Sequence, residues 1–290
     1  MGETTRAVAV YCGSSIGTQK AYQLAALCMS DRHKNWTRTL INHQNLALGQ
    51  ALAAFKSPLI YGGGSKGIMG IVSGAVLDNG GDVTGVIPAA MLAAGGEGDK
   101  GNGGIKSPAV DVVLNEHGRE KVQSSMYAQL ETLLRMNIYL ISVTAQVIVG
   151  SMHERKVEMA SRARGFVGLP GGYGTFEEVL EAITWTQLNI HTKPVVVLNV
   201  LNFYEPLRAL VRQGVSEGFI EPQNEQLVVF VDGPSMGSAE ETEWKAAQES
   251  FDWGTAAIEA LDRWADDTRG IKKKFTWDWS KSVSDPMKAV

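Results

Sequence analysis

The sequence predicts an α/β fold, in which a doubly wound parallel sheet carries helices on both faces. Short runs rich in Val, Ile and Leu alternate with helical patterns along the chain, which is typical of strands buried on both faces of a parallel sheet. Three of these runs lead directly into glycine-rich loops. Because right-handed crossovers bring the carboxyl ends of parallel strands to one edge, we expect a Rossmann-like sheet whose glycine loops meet in one ligand-binding crevice.

The predicted elements are bounded by glycine, proline and small polar residues, which interrupt regular structure. The first strand leads into a small-residue turn at 12–15, and the second leads into the glycine loop 62–67 and a helix over 68–78. The loop at 170–178 opens a helical pattern that continues to Trp185. The predicted strands cover residues 6–11, 58–61, 82–87, 111–114, 146–149, 165–169 and 193–198.

Composition excludes several classes of function. The chain has 290 residues, enough for one large core, and a formal net charge of -4, which gives no electrostatic reason to bind nucleic acid or a membrane surface. Its two cysteines, Cys12 and Cys28, indicate neither a disulfide framework nor a metal cluster. The most apolar stretch, 133–150, is interrupted by Arg135 and Gln146, so no membrane span is predicted. The N-terminal residues lack a signal-peptide pattern, so we expect a cytoplasmic protein.

The loop PGGYGTFEE at residues 170–178 predicts an anion site. Its glycines permit turns that expose backbone N–H groups, and the following helix N-terminus adds unpaired donors and a partial positive charge. Glu177 and Glu178 are expected in the first helical turn, beside the anion. A phosphate site next to a carboxylate can hold a nucleotide and act on its sugar. The candidate phosphate-binding residues are Gly171, Gly172, Tyr173, Gly174 and Thr175.

Each glycine loop also has a structural interpretation. Thr175-x-x-Glu178 matches a capping box, in which Glu178 would only stabilise the helix start. Gly63 and Gly64 either contact the ligand or form a tight strand-to-helix turn, and Ser14 in the first loop is a weaker candidate. Neither the mononucleotide P-loop nor the dinucleotide fingerprint is present, so NAD binding is not expected.

The motif MHERK at residues 152–156 follows a predicted strand and supplies two candidate cations. Arg155 and Lys156 suit a phosphate or a carboxylate, because an arginine donates parallel hydrogen bonds and stays charged. The alternative is an exposed basic pair at a helix start. His153 has no second His or Cys at ligand spacing, so we predict no metal site and interpret it as structural or as an outer donor.

The motifs GGGSKGIMG, MHERK and PGGYGTFEE, in this order, resemble the LOG (Lonely Guy) family of cytokinin riboside 5′-monophosphate phosphoribohydrolases. The resemblance covers most of the chain from Arg6 to about Val231. It implies hydrolysis of the N-glycosidic bond of a nucleoside 5′-monophosphate without a cofactor, by a homodimer or larger homo-oligomer. It further implies that Arg155 and Glu178 are catalytic, that Gly171 to Thr175 bind the phosphate and that Thr184 contacts the substrate. The base stays open between a cytokinin and plain adenine.

The chain departs from the compact family pattern in several places. It carries extra residues near 29–45, 95–107 and 118–145, and the last of these is either a helical elaboration or translated intron. Where family members place a Glu, this chain has Gly95, and Glu97 is the nearest acid. We predict a phosphoribohydrolase domain over 1–232 and a C-terminal extension over 233–290, in which 255–264 forms an amphipathic helix.

Two other functions compete with the hydrolase. One is a non-catalytic nucleotide carrier, similar to the molybdenum cofactor carriers that share the Rossmann-like architecture. The other is a lysine decarboxylase, which the absence of a pyridoxal-phosphate lysine motif disfavours. Retention of both Arg155 and Glu178 favours the enzyme.

Overall fold

The computed structural model describes residues 7–26, 47–93 and 145–267. The predicted strand at 111–114, the Gly95 position and nearly all of the three predicted insertions lie outside these residues. Within the described ranges, no helix combines the length and apolarity that a bilayer crossing requires.

Seven parallel strands of the described residues form a single sheet, in the order β4-β3-β2-β1-β5-β6-β7. The strands are β1 (Val8–Tyr11), β2 (Leu59–Tyr61), β3 (Val83–Pro88), β4 (Ala145–Val149), β5 (Gly165–Gly168), β6 (Val195–Leu198) and β7 (Val228–Val231). Successive strands run outward from β1 to β4 and then outward from β5 to β7, so the order reverses between β1 and β5. The predicted doubly wound sheet is confirmed, and its ligand crevice is expected at this reversal. The edge strand β7 is an addition to the predicted set.

Helices cover both faces of the sheet. They are α1 (Lys20–Ala26), α2 (Leu48–Ala54), α3 (Gly67–Asp78), α4 (Ala89–Ala93), α5 (Met152–Arg162), α6 (Tyr173–Gln187), α7 (Glu205–Ser216), α8 (Glu241–Glu249) and α9 (Trp253–Asp267). Because side chains alternate along a strand, Val8 and Val10 of β1 pack with α1, α2, α3 and α9, whereas Ala9 and Tyr11 pack with α5 and α6. The second layer, which holds α5 and α6, carries the two motifs with charged candidate residues.

The C-terminal helix α9 belongs to the core of the first layer. The predicted apolar stripe is confirmed, since Ile258, Leu261 and Trp264 are 2%, 0% and 9% exposed. They pack in one cluster with Trp253 and with residues of β1 and β2, and each such side chain stabilises the fold by roughly 1.5–3 kcal/mol. The division of the chain near residue 232 stays a prediction, although residues beyond it complete the same core.

Candidate active site

The three glycine loops meet at the carboxyl edge of the sheet, as predicted. The backbone N–H of Gly13, after β1, donates to the carbonyl oxygen of Pro170, after β5, at 3.2 Å. The carbonyl oxygen of Gly13 in turn accepts from the N–H of Met69, in the helix that follows the β2 loop, at 3.3 Å. Backbone segments that follow β1, β2 and β5 are therefore hydrogen-bonded to one another at this edge, where the ligand crevice is predicted.

Close packing explains why these loops consist of glycine. A Cβ on Gly171 would collide with the hydroxyl of Thr175 and lie 2.9 Å from the backbone nitrogen of Gly13. Gly63 has a φ of 78° and leaves no room for a Cβ beside the Ile87 side chain, a backbone conformation that favours glycine. The Ser14 side chain is exposed and Gly64 is partly exposed, and contact of either residue with a ligand stays a prediction.

Helix α6 begins earlier than the sequence predicts. Its first residue is Tyr173 and its N-cap is Gly172, so Thr175 is the third residue of the helix and Glu178 the sixth. The capping-box interpretation of Glu178 is therefore wrong, and so is the placement of Glu177 and Glu178 in the first turn. A glycine N-cap has no side chain to mark the helix start, and a later Thr-x-x-Glu supplied a misleading signal.

The start of α6 is open to solvent. Gly172 and Gly174 have no neighbouring atom within 4 Å of a Cβ position, and Tyr173 is 92% exposed. The first N–H groups of a helix have no partner within the helix, and the helix dipole favours negative charge there. This end of α6 therefore has the free donors and the open space that an anion needs, and phosphate binding by Gly171 to Thr175 stays a prediction.

Arg155 and Glu178 form a buried ion pair near the start of α6. Nη1 of Arg155 lies 3.4 Å from Oε1 of Glu178, and both side chains are 10% exposed. Nε of Arg155 also donates to the carbonyl oxygen of Val86 at 3.2 Å. The guanidinium occupies the space that a side chain at Gly62 would fill. The alternative in which Arg155 belongs to an exposed basic pair is wrong.

Local capping fixes the helix that presents Arg155. Oγ of Ser151, the N-cap of α5, accepts from the N–H of Glu154 at 3.1 Å, and Oε2 of Glu154 accepts from the N–H of Gly150 at 2.7 Å. These two bonds satisfy donors at the helix start and hold its first turn. Arg155 follows Glu154 in this turn, and its guanidinium pairs with Glu178.

The environment of Glu178 holds it near its midpoint of ionisation at neutral pH. Burial raises the pKa of Glu178 to about 7, Arg155 opposes that rise, and Glu177 adds to it. The hydroxyl of Tyr11 belongs to the same electrostatic environment, since burial first and then Glu178 raise the pKa of that phenol. A carboxylate with this pKa can accept a proton under ordinary working conditions.

The other predicted residues on these helices lie outside the pair. Lys156 forms ion pairs with Glu177 and with Glu181, the latter at 3.0 Å. Thr184 is exposed and donates to the carbonyl oxygen of Leu180 at 2.8 Å. It lies six residues beyond Glu178, about 9 Å along the axis, so a single chain does not bring the two together. Substrate contacts by Lys156, Glu177 and Thr184 stay predictions.

The His153 side chain is exposed on α5. Across residues 7–26, 47–93 and 145–267, no group of three or more His, Cys, Asp or Glu side chains could hold a metal ion. The interpretation of His153 as a structural residue or outer donor stays a prediction, as does the absence of a metal.

Sequence reasoning missed three residues that shape the site. Tyr11, the last residue of β1, is 4% exposed and stacks on Phe166 with ring centroids 5.8 Å apart. Gly62 makes room for Arg155, and the hydroxyl of Tyr204 donates to the carbonyl oxygen of Leu169. The alternation of side chains along β1 could have placed Tyr11 on the face that packs against α5 and α6. No local sequence pattern predicts that Gly62 makes room for Arg155 or that Tyr204 contacts Leu169.

Comparison with protein families and curated proteins agrees with these motifs. A family described as "Possible lysine decarboxylase" matches residues 69–237. A protein of Oryza sativa subsp. japonica, named "Probable cytokinin riboside 5′-monophosphate phosphoribohydrolase", is 38% identical over 232 residues, which are 80% of this chain and 75% of that protein. A cytokinin riboside 5′-monophosphate phosphoribohydrolase of Arabidopsis thaliana is 36% identical over 224 residues, 77% of this chain and 76% of that protein.

Solved structures show a weaker likeness. The molybdenum cofactor carrier protein of Chlamydomonas reinhardtii aligns over 89% of this chain and 97% of its own, with 16% identity and a TM-score of 0.43. The molybdenum cofactor binding protein of Rippkaea orientalis covers 78% of this chain and 86% of its own, with 17% identity and a TM-score of 0.38. A likeness at this level supports no argument about activity.

Proposed function

The chain belongs to the LOG family of cytokinin riboside 5′-monophosphate phosphoribohydrolases, and we propose that it hydrolyses the N-glycosidic bond of such monophosphates. The products are the free base and ribose 5-phosphate. The observation that carries the proposal is the buried Arg155–Glu178 pair beside a glycine loop at the start of α6. Plain AMP is a further candidate substrate, because the phosphate and the ribose, on which the glycine loop and the Arg155–Glu178 pair are proposed to act, are common to both nucleotides.

The phosphate is proposed to bind at the start of α6. The N–H groups of Gly171 to Thr175 and the helix dipole suit a dianionic group, and the open space around Gly172 and Gly174 admits it. Glu178 lies five residues beyond Tyr173, about 7.5 Å along the helix axis. A ribose held by its 5′-phosphate therefore extends along α6 toward Glu178, which puts the anomeric carbon near the carboxylate.

Glu178 in its ionised form is proposed to activate water and to stabilise positive charge on the ribose. As the bond between C1′ and the base nitrogen breaks, its electron pair leaves with the base and the ribose becomes oxocarbenium-like. The water oxygen bonds to C1′, Glu178 accepts the water proton, and the base nitrogen takes up a proton to complete the reaction. A pKa of about 7 lets the same carboxyl accept and then release this proton at neutral pH.

Arg155 is proposed to keep Glu178 ionised and oriented. Its charge opposes the effect of burial on the pKa of Glu178, and its bond to the Val86 carbonyl fixes the guanidinium. A buried cation also attracts the nucleotide. Arg155 thus controls both the charge and the position of the catalytic carboxylate.

The test of the proposal is an assay for free base with isopentenyladenosine 5′-monophosphate, AMP and the two matching ribosides. We expect kcat/KM for a monophosphate to exceed that for its riboside at least about tenfold. Each hydrogen bond to a charged phosphate contributes about 1.5 kcal/mol or more, and tenfold corresponds to about 1.4 kcal/mol. Equal kcat/KM values for a monophosphate and its riboside would contradict the phosphate site.

A carrier and a decarboxylase make different predictions in the same assay. A nucleotide carrier would bind the monophosphate and release no base. A decarboxylase, the activity in the family's description, would release CO₂ from lysine. The buried carboxylate with a pKa of about 7 favours the hydrolase, because a carrier has no use for a proton acceptor placed beside the ligand sugar.

We further propose a cytoplasmic homodimer, or a larger homo-oligomer, built on the exposed side of α6. Phe176 and Leu180 are 37% and 45% exposed there, and Tyr173 is 92% exposed. Leu188, directly after the last residue of the helix, is 43% exposed. Large apolar side chains at this spacing form a stripe along one helix, which is typical of an interface. In such a dimer, Thr184 on the same exposed side would lie at the subunit boundary and could reach the partner's substrate.

Sedimentation at micromolar concentration should therefore show a dimer or larger species. Leu180→Glu introduces a charge into the stripe and is expected to shift the protein toward monomer and to lower activity. Leu210→Glu on α7, where the side chain is 64% exposed, is the matched control and should leave the oligomeric state unchanged. A fully active monomer would refute this proposal.

A further inference from the structure

A tyrosine outside the catalytic pair holds the start of the glycine loop. The hydroxyl of Tyr204 donates to the carbonyl oxygen of Leu169 at 2.7 Å. Both residues are buried, with exposures of 2% and 0%. Leu169 directly precedes Pro170 and Gly171, so this bond fixes the point at which the chain leaves the sheet and enters the loop.

The next carbonyl along the chain is fixed as well. The carbonyl oxygen of Pro170 accepts the hydrogen bond from Gly13. In a trans peptide the N–H points away from the preceding carbonyl, so the direction of the Pro170 carbonyl sets the direction of the Gly171 N–H. Pro170 has no N–H of its own, so the bond from Tyr204 to the Leu169 carbonyl holds the backbone just before the Pro170–Gly171 peptide, and the bond from Gly13 orients that peptide.

Tyr204 is itself held by polar contacts at the carboxyl ends of β6 and β7. Its backbone N–H donates to Oδ1 of Asn199 at 2.7 Å, and Nδ2 of Asn199 donates to Oδ1 of Asp232 at 2.8 Å. Asn199 is 1% exposed. A Cβ at Gly168 would lie 3.4 Å from the Tyr204 hydroxyl, an ordinary contact distance, so the hydroxyl packs directly beside the backbone of β5.

The turn before Tyr204 has an unusual backbone conformation. Leu201 and Asn202 have φ values of 51° and 60°, in the left-handed region that disfavours residues with side chains. The N–H of Leu201 donates to Oε1 of Gln248, a buried side chain of α8, at 3.0 Å. Such a backbone persists only where its surroundings determine it, which indicates that the position of Tyr204 is set by several elements at once.

We propose that Tyr204 is a positioning residue for phosphate binding, because its hydroxyl fixes the glycine loop whose amides receive the 5′-phosphate. The inference rests on the proposed function only in taking this loop as the phosphate site. Burial raises the pKa of Tyr204, so the hydroxyl keeps its proton and remains a donor across the working range of pH.

The test is Tyr204→Phe, which removes the hydroxyl and keeps the ring. We expect KM for the monophosphate and Kd for ribose 5-phosphate, measured by calorimetry, to rise about five- to tenfold, the size of one lost hydrogen bond. We expect kcat to change less than about twofold, because Arg155 and Glu178 keep their contacts. The kcat/KM for the riboside, which has no phosphate, should be unchanged. Hydrogen exchange of the amides at 171–175 should become faster.

Ile258→Val in α9 is the matched control. It lies on the opposite face of the sheet and costs stability in the same range as one buried hydrogen bond, yet it should alter neither Kd nor the exchange of the loop. An unchanged Kd in Tyr204→Phe, or an equal loss with monophosphate and riboside, overturns the proposal.

Binding and turnover also separate this proposal from the proposed function. If the wild-type protein binds ribose 5-phosphate but releases no base, and Tyr204→Phe weakens that binding, the positioning role stands and the hydrolase assignment fails. If the wild-type protein does not bind ribose 5-phosphate, the positioning role fails with the phosphate site.

Discussion

Glu178→Gln is expected to lower kcat by about 10²–10³, the usual cost of removing one preorganised electrostatic group. The amide keeps the shape of the side chain but can neither accept the water proton nor oppose the charge on the ribose. Ribose 5-phosphate should still bind, since the amides of Gly171 to Thr175 are unchanged. Single-turnover assays and calorimetry on the same preparation measure both quantities.

The Glu178→Gln protein is expected to fold. With a pKa of about 7, Glu178 is uncharged in a large fraction of wild-type molecules at neutral pH, so the site already accommodates a neutral side chain. This separates a catalytic role from a purely structural ion pair. If Glu178 served only to pair with Arg155, the variant would lose stability and keep most of its turnover.

Glu177→Gln is the internal control for this experiment. Its side chain is 53% exposed and pairs with Lys156, so the change should affect kcat far less. Turnover by Glu178→Gln above about a tenth of the wild-type rate would mean that less than about 1.4 kcal/mol of barrier was lost, and the catalytic assignment of Glu178 would be wrong.

The sequence predicts the architecture of this protein because its signals are local and repeated. Buried parallel strands require near-continuous apolar runs, and such runs mark six of the seven strands in the part of the chain that the structure describes. The convergence of the glycine loops follows from topology, since carboxyl ends of parallel strands share an edge. The motifs PGGYGTFEE and MHERK therefore indicate the site before any contact is known.

The geometry inside the site depends on contacts between distant parts of the chain, which local patterns do not report. Whether Arg155 is buried depends on the space at Gly62 and on the carbonyl of Val86. The start of α6 depends on a glycine cap with no side-chain signal. The pKa of Glu178 depends on burial by several elements together. The sequence predicts that these residues belong to the site, but it does not predict their protonation states or the residues that they contact.

Changing Arg155 should move the pH dependence of the reaction. In the wild-type enzyme, kcat is expected to fall as pH falls through about 7, because the active form of Glu178 is ionised. This fall in kcat toward low pH is the acidic limb of the pH profile. Measuring the Kd of ribose 5-phosphate at each pH separates the titration of the substrate phosphate from this limb. Arg155 opposes the rise in the pKa of Glu178, so Arg155→Met should shift this limb to higher pH and lower kcat at pH 7 by about 10².

Two further variants test whether the charge or the shape of Arg155 matters. Arg155→Lys keeps the charge but loses the guanidinium that contacts both Val86 and Glu178. Its acidic limb should therefore move less than that of Arg155→Met, while its kcat should stay below that of the wild type. Arg162→Met, on the same helix, removes an exposed arginine that pairs with Glu158. It should leave the profile in place.

The stability of the folded protein should also depend on pH through the ionisation of Glu178. Because the folded-state pKa of Glu178 lies above its ordinary value of 4.5, its contribution to stability is full below about pH 4.5 and is lost as pH rises through about 7. Without Arg155 the folded-state pKa is higher still, and above it the protein must bury an unpaired carboxylate. The difference in Tm between wild type and Arg155→Met should therefore widen from pH 6 to pH 9. A constant difference, with an unmoved activity limb, would show that Arg155 does not set the charge of Glu178.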